Sequence, residues 1–163
     1  MDFKWYTYAY AFGTGLVMIA IALRMPKRHS VTVMYITALF STLLQLITDI
    51  ILDAKYDWYG YFYHGPDVYS VLACLLIYPP FNAIYLNYFP YGQRVMKQIA
   101  YIFAYCVFAV VYEWTAVQSG YFYYNGWKLW YSALVYPFLF LLLSVHGYGV
   151  MKLAGKKTRK GRS

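Results

Sequence analysis

Five long apolar stretches divide the sequence, and each could cross a bilayer as a helix, which takes about 20 residues. None shows the apolar–polar alternation of membrane strands, so helices are the expected spanning form. We therefore predict an all-α fold, a five-helix transmembrane bundle in a single domain (residues 1–151) followed by a basic tail (residues 152–163). The predicted spans lie at about residues 5–23, 31–52, 68–89, 99–117 and 129–150.

The composition excludes an ordinary soluble domain. Charged residues make up 12% of the chain and hydrophobic residues 62%, whereas a typical globular domain has about 25% charged residues. The net charge of +8 could suggest nucleic acid, but such binders carry their charge as a patch on a soluble fold. Here the charges lie between apolar stretches, which favours the lipid bilayer over nucleic acid as the partner.

The distribution of basic residues predicts the orientation. Eleven of the 14 Lys and Arg residues lie in the loop after span 1, the loop after span 3 and the tail. By the positive-inside rule the N-terminus faces outward and the C-terminus faces the cytoplasm. A basic tail attracts anionic lipid, which we expect to be its role. The alternative of a cleavable signal peptide at the start is disfavoured, because the basic cluster follows the first apolar stretch instead of preceding it.

A similar segment occurs twice, 60 residues apart. Residues 60–63 and 120–123 both read Gly-Tyr-Phe-Tyr, and each is followed by Tyr-Ser and then by Tyr-Pro. The similarity predicts a parallel tandem repeat made of helices 2–3 and 4–5, with helix 1 added in front. The alternative is chance similarity between two tyrosine-rich segments.

Prolines fall inside two of the predicted spans. Pro79 and Pro80 lie near the middle of span 3, and Pro137 lies in span 5. Proline removes a backbone donor, so it predicts helix kinks that free polar groups at membrane depth. Interruptions at matching places in two halves are typical of binding sites, although kinks that only shape helix packing are the favoured interpretation.

Ionisable and polar residues inside the spans are the candidates for function, because a charge near the bilayer centre costs about 2.5–3.5 kcal/mol on the insertion scale. The candidate intramembrane polar site comprises Glu113 in span 4, Asp49 and Asp53 at the outer end of span 2, and Asn82 after the paired prolines. Converging carboxylates could bind a cation or relay protons. The alternative is that Glu113 accepts hydrogen bonds from tyrosines and that Asp53 lies in interfacial water.

The chain offers no metal-ligand spacing, no phosphate-binding loop and no catalytic constellation, so we expect no metal, no cofactor and no enzyme activity. The 22 tyrosines concentrate near the two predicted outer loops. Aromatic residues favour the membrane–water boundary, which predicts an outer aromatic belt.

Several short motifs rich in aromatic residues occur from span 2 to span 5. They are Tyr-Gly-Tyr-Phe at 59–62, Ile77-Tyr78-Pro79, Leu86-Asn87-Tyr88-Phe89-Pro90, Tyr112-Glu113-Trp114 and Gly126-Trp127-Lys128-Leu129-Trp130-Tyr131-Ser132. By these motifs the chain resembles a family of small five-span membrane proteins of endospore-forming Bacillota. The resemblance covers most of the chain and implies a multi-pass protein of the bacterial cytoplasmic membrane, but it implies no activity and no functional residue.

Two functions are compatible with these observations. The favoured one is a structural or accessory component of the membrane, acting with a membrane protein partner or as a homo-oligomer. The alternative is a small oligomeric ion or proton channel, or a transporter, that uses the carboxylates of its outer half.

Overall fold

The computed structural model describes residues 5–63 and 67–160, with side chains described as far as Ala154. It contains five α-helices, each long and apolar enough to cross a membrane. The predicted helical architecture with five helices of spanning length and apolar composition is therefore confirmed. The helices are α1 (Trp5–Arg24), α2 (Val31–Asp49), α3 (Val68–Tyr88), α4 (Val95–Gln118) and α5 (Leu129–Lys160).

The helix ends differ from the predicted spans in three places. Helix α2 continues into a π-helical segment, Ile50–Lys55. Helix α4 begins four residues earlier than predicted, at Val95, and α5 continues into the basic tail as far as Lys160. The predicted contact of the tail with anionic lipid concerns mainly side chains from residue 155 onward, which lie outside the described residues.

Side-chain caps explain where two helices begin. The Ser30 hydroxyl accepts a hydrogen bond from the Val33 N–H at 3.3 Å at the start of α2. The Asp67 carboxylate accepts from the Tyr69 and Ser70 N–H groups at 2.7 and 3.0 Å at the start of α3. Each cap satisfies backbone donors that the first helical turn leaves without a partner.

Helix α1 packs against α3, and Gly15 makes the close approach possible. A Cβ atom at Gly15 would lie 2.9 Å from the Leu76 Cβ, so only glycine fits at this crossing. Helices α2 and α3 pack together, as do α4 and α5, and α2 also contacts α5. These contacts leave the space enclosed by α2, α3, α4 and α5 as the interior of the bundle.

The prolines do not divide their helices. Helix α3 continues through Pro79 and Pro80, and α5 continues through Pro137. Proline has a fixed φ near −65°, which is compatible with a helix, although its missing N–H leaves a carbonyl of the preceding turn without its usual donor. Both helices therefore continue through their prolines, and the kinks expected there stay a prediction.

Two short strands pair across the outer loops, a feature that the sequence analysis missed. Strand β1 (Tyr59–Tyr61) runs antiparallel to β2 (Phe122–Tyr124), with Tyr59 opposite Tyr124 and Tyr61 opposite Phe122. The Trp58 carbonyl also accepts N–H bonds from residues 125, 126 and 127 at 2.8–2.9 Å. The two loops therefore form one unit that joins the first hairpin of helices to the second.

The turn from α4 into β2 depends on Gly120. Its φ is +76°, a left-handed conformation that residues with a Cβ adopt only with strain. The Gly120 N–H donates to the Val117 carbonyl and the Tyr121 N–H donates to the Ala116 carbonyl, both at 3.1 Å. This pattern is a Schellman motif, which ends the helix and satisfies its last carbonyls.

The predicted outer aromatic belt is correct for only part of the aromatic residues. Tyr56, Trp58, Tyr63, Tyr69 and Trp130 are exposed. Five other aromatic residues in and beside the strand pair are buried and pack on one another because the two loops fold together, whereas Tyr123 and Tyr124 are half-buried. We call this buried set, Tyr59, Tyr61, Phe62, Tyr121 and Phe122, the aromatic cap.

A second aromatic cluster lies at the opposite end of the bundle, around the buried Tyr85 and Phe140. The Tyr85 hydroxyl donates to the Phe140 carbonyl at 3.0 Å. Nearby, the fully buried Asn87 donates to the Pro26 carbonyl at 3.0 Å and accepts from the Arg28 N–H at 2.8 Å. These bonds fix the loop between α1 and α2 against the end of α3.

Candidate functional site

A cavity of about 190 Å³ lies between helices α2, α3, α4 and α5. Residues of the aromatic cap line one part of it, and the remaining wall comes from the facing sides of the helices. An engineered apolar cavity of about 150 Å³ is large enough to hold benzene. The space is therefore sufficient for a small ring-sized molecule.

The wall is mainly apolar. Aromatic residues outnumber both the aliphatic and the polar residues that line the cavity. The polar minority comes from all four helices: Ser41, Gln45, Thr48, Asn82, Glu113 and Ser132. A concave apolar wall with a few polar groups is the usual composition of a small-molecule site.

Glu113 is the charged residue of this wall and is held by three hydroxyl donors. Its Oε1 accepts from the Tyr124 hydroxyl at 2.6 Å and from the Ser132 hydroxyl at 2.7 Å, and its Oε2 accepts from the Tyr136 hydroxyl. The donors come from β2 and α5, so the carboxylate links α4 to both elements. The side chain is buried, with 7% of its surface exposed.

The orientation of these donors is set by their own surroundings. The Trp127 indole Nε1–H donates to the Ser132 hydroxyl oxygen at 2.7 Å, which directs the Ser132 proton towards Glu113. Burial, followed by the hydrogen bond to Glu113, raises the pKa of Tyr124 far above its ordinary value. Tyr124 therefore keeps its proton and acts as a donor.

Asp49 has a similar arrangement in the first half of the chain. Its Oδ1 accepts from the Gln45 amide and the Tyr59 hydroxyl, both at 2.9 Å, and from the Tyr61 hydroxyl at 3.2 Å. Burial and the Asp49 charge raise the pKa of Tyr59 and of Tyr61 far above the ordinary value, so both phenols stay protonated. The Cys74 thiol lies 3.9 Å from the second carboxylate oxygen.

Asp49 and Asp53 are not part of the cavity wall. Asp49 is separated from the cavity by three residues that do line it, Gln45, Tyr59 and Tyr61. Asp53 lies half-buried in the π-helical segment. The tyrosines of the first outer loop donate to Asp49, which lies one turn before Asp53.

Asn82 differs from the other polar residues of the wall. Its side chain is buried, with 6% exposed, and it lines the cavity. None of the side-chain hydrogen bonds among the described residues involves its amide. Because the side chain lines the cavity, the amide can offer a donor and an acceptor to whatever occupies it.

Several residues of the site were not singled out from the sequence. Tyr124, Ser132 and Tyr136 hold Glu113, and Trp127 orients Ser132. Three of the four lie in or beside the segments that recur 60 residues apart, which is the signal that could have identified them. The spacing alone did not reveal them because the strand pair, which brings β2 over α4, was not predicted.

No group of His, Cys, Asp and Glu side chains that could hold a metal ion occurs in the described part of the chain. Both cysteines, Cys74 and Cys106, are buried free thiols. Comparison of the chain with protein-family models, with curated proteins and with solved structures finds no match.

Proposed function

We propose that this multi-pass membrane protein binds a small, mainly apolar molecule in the cavity between its helices. The observation that carries the proposal is the cavity of about 190 Å³, whose wall is mostly aromatic and aliphatic but contains Asn82 and Glu113. A structural protein that needed only packing would gain stability by filling this space, because interior voids forfeit dispersion contacts. Binding is the use that gives both the space and the free amide a role.

We place this binding in an accessory role in the membrane, in which the protein holds a molecule and does not convert it. The described residues of the cavity wall contain no group of side chains arranged for covalent chemistry. The chain would act by holding a ligand, as a carrier, a sensor or a component of a larger assembly. The alternative function, an ion or proton channel, is supported by Glu113 in the cavity wall. It is weakened by Asp49 and Asp53, which do not line the same cavity.

We also propose that the N-terminus faces outward, with the aromatic cap on the outer side of a bacterial cytoplasmic membrane. The distribution of basic residues supports this orientation, and the resemblance to the Bacillota family supports the choice of membrane. In this arrangement the cavity lies in the outer part of the bundle, close to the strand pair.

The pairing of the two outer loops supports the tandem repeat. Gly60 pairs with Tyr123 and Tyr61 pairs with Phe122, while the Phe62 N–H donates to the Tyr121 carbonyl at 3.0 Å. The ladder is therefore centred on equivalent positions of the two segments, because Tyr61 and Phe62 lie opposite Phe122 and Tyr121. A two-fold axis along the membrane normal that related two parallel repeats would pass through such a centre.

The test is to fill the cavity and measure the binding of a neutral probe. Ala109 lines the cavity on α4, whereas Ala104, on the same helix, is exposed. The purified protein in a neutral detergent would be titrated with 4-fluoro-tert-butylbenzene and observed by fluorine NMR. We expect saturable binding to the wild type and to Ala104→Phe, and its loss in Ala109→Phe.

Partition of the probe into micelles is the same for all three proteins, so the difference between variants isolates the cavity. Ser41→Leu provides a second filled variant on α2, because Ser41 also lines the cavity, and it is used if Ala109→Phe does not purify as a folded protein. Equal binding by the wild type and a folded, filled variant would overturn the proposal.

A further inference from the structure

We infer that the cavity recognises a small organic cation, with Glu113 as its counter-ion and the aromatic wall as its cage. This inference rests on the proposed function and specifies the chemistry of the ligand. It follows from three properties of the wall: a carboxylate without a cationic partner, an excess of aromatic faces and the unpartnered amide of Asn82.

The first property is the charge of Glu113. All three of its partners are neutral hydroxyl groups, and among the described residues no Lys, Arg or His forms an ion pair with it. Lys128, the basic residue of the second outer loop, is exposed. A buried carboxylate that lacks a compensating charge is costly, and hydrogen bonds from neutral donors repay only part of that cost.

The carboxylate also has room for a further partner. An ionised carboxylate has about four acceptor positions, and three are occupied by Tyr124, Ser132 and Tyr136. Because Glu113 lines the cavity, a positively charged ligand there would meet the uncompensated charge at short range and in an apolar surrounding, where the attraction is strongest.

The second property is the aromatic wall. Tyr78 and Phe81 line the cavity from α3, Phe108 and Tyr112 from α4, and Tyr136 from α5. Aromatic faces attract cations through the ring quadrupole, and desolvated pairs gain more than exposed ones. Rings on several sides of one small space are the arrangement by which proteins bind ammonium groups without a full shell of oxygen ligands.

The third property is the Asn82 amide, which lines the cavity and has no hydrogen bond to the described residues. Its carbonyl oxygen can accept from a ligand N–H. A ligand with a cationic group at Glu113 and a second polar group could therefore also use Asn82, whereas a simple quaternary ammonium would use the charge and the rings alone.

The same wall is unsuited to an inorganic cation. Calcium takes six to eight oxygen ligands, and magnesium demands an octahedral shell. Here the wall supplies a single carboxylate with about one acceptor position left open, and the described residues contain no metal-binding cluster. A monovalent organic cation of about the size of a substituted benzene ring fits both the volume and the chemistry.

The experiment compares two probes of the same shape that differ in charge. The cation is 4-fluorophenyltrimethylammonium, and its neutral counterpart is 4-fluoro-tert-butylbenzene, in which carbon replaces nitrogen. Both are titrated against the wild type in a neutral detergent and observed by fluorine NMR. We expect the wild type to bind the cation at least about tenfold more tightly than the neutral probe, after correction for partition into protein-free micelles.

Two variants assign the preference to Glu113. In Glu113→Gln the neutral amide keeps an acceptor for the hydroxyl donors, and the ratio of the two affinities should fall to about one. In Asp53→Asn an acid outside the cavity wall is neutralised, and the ratio should stay at the wild-type value. If Asp53→Asn lowered the ratio as much as Glu113→Gln, the preference would come from the summed negative charge at the outer end of the bundle, and the inference would be overturned.

The comparison in the wild type needs no variant, so the inference can fail even if Glu113→Gln does not fold. Equal affinity of the wild type for the two probes would overturn the cation inference and leave the proposed function intact. Binding of neither probe, or binding of both that persists in Ala109→Phe, would overturn the proposed function itself.

Discussion

The hydrogen bond from Tyr136 to Glu113 predicts a measurable coupling between α4 and α5. Among the described residues Tyr136 is the one donor to Oε2, whereas Oε1 accepts from both Tyr124 and Ser132. Replacing Tyr136 with Phe removes one hydroxyl group and leaves the ring in place. The resulting decrease in the free energy of unfolding therefore reports on the hydrogen bond and only slightly on packing.

The magnitude follows from the type of acceptor. Hydrogen bonds between membrane helices contribute on average about 0.6 kcal/mol and at most about 1.7 kcal/mol, and bonds to charged groups lie at the upper end of the general range. We therefore expect Tyr136→Phe to lower the free energy of unfolding by about 1.5 kcal/mol. In the Glu113→Gln background, where the acceptor is neutral, the same change should cost about 0.5 kcal/mol.

The assay is a double-mutant cycle measured by reversible unfolding in mixed micelles, with the wild type, the two single variants and the double variant. The expected coupling energy between the two positions is about 1 kcal/mol. The control is Tyr148→Phe on the same helix, because the Tyr148 side chain is 57% exposed and should contribute less than about 0.5 kcal/mol. Additive effects of Tyr136→Phe and Glu113→Gln, or a cost of Tyr136→Phe no larger than that of the control, would refute the reasoning.

Two further predictions concern the turn into β2 and the orientation. Gly120→Ala should destabilise the protein by about 1–2 kcal/mol in the same unfolding assay, because the backbone at Gly120 is left-handed. Gly13→Ala is the control and should be neutral or slightly stabilising, because a Cβ added at Gly13 would meet no other atom within 4 Å. Equal effects of the two changes would contradict the role given to the Gly120 backbone. A fluorescent reporter that matures only in the cytoplasm should be active when fused after the C-terminus, and maturation only of an N-terminal fusion would reverse the proposed orientation.

The sequence was sufficient to predict the five helices because the bilayer imposes a length and an apolar composition that can be read directly. It also identified Glu113 and Asn82 as candidates, since polar groups are rare in such segments. The strand pair was missed because strands of three residues carry almost no local signal and depend on a partner about 60 residues away. Asp53 lies in a π-helical segment, which the apolar pattern of this stretch does not distinguish from a regular helix.

The tyrosines were first interpreted as interfacial residues, but the buried ones have a different physical role. Glu113 and Asp49 accept hydrogen bonds from tyrosine hydroxyls in place of bonds from basic residues. A phenol is apolar enough to be buried and still supplies one strong donor, so it stabilises a carboxylate without cancelling its charge. An arginine in the same place would neutralise the site. Because the donors of Glu113 are neutral, none of them supplies a counter-charge to this carboxylate, and a cationic ligand in the aromatic cavity would supply it.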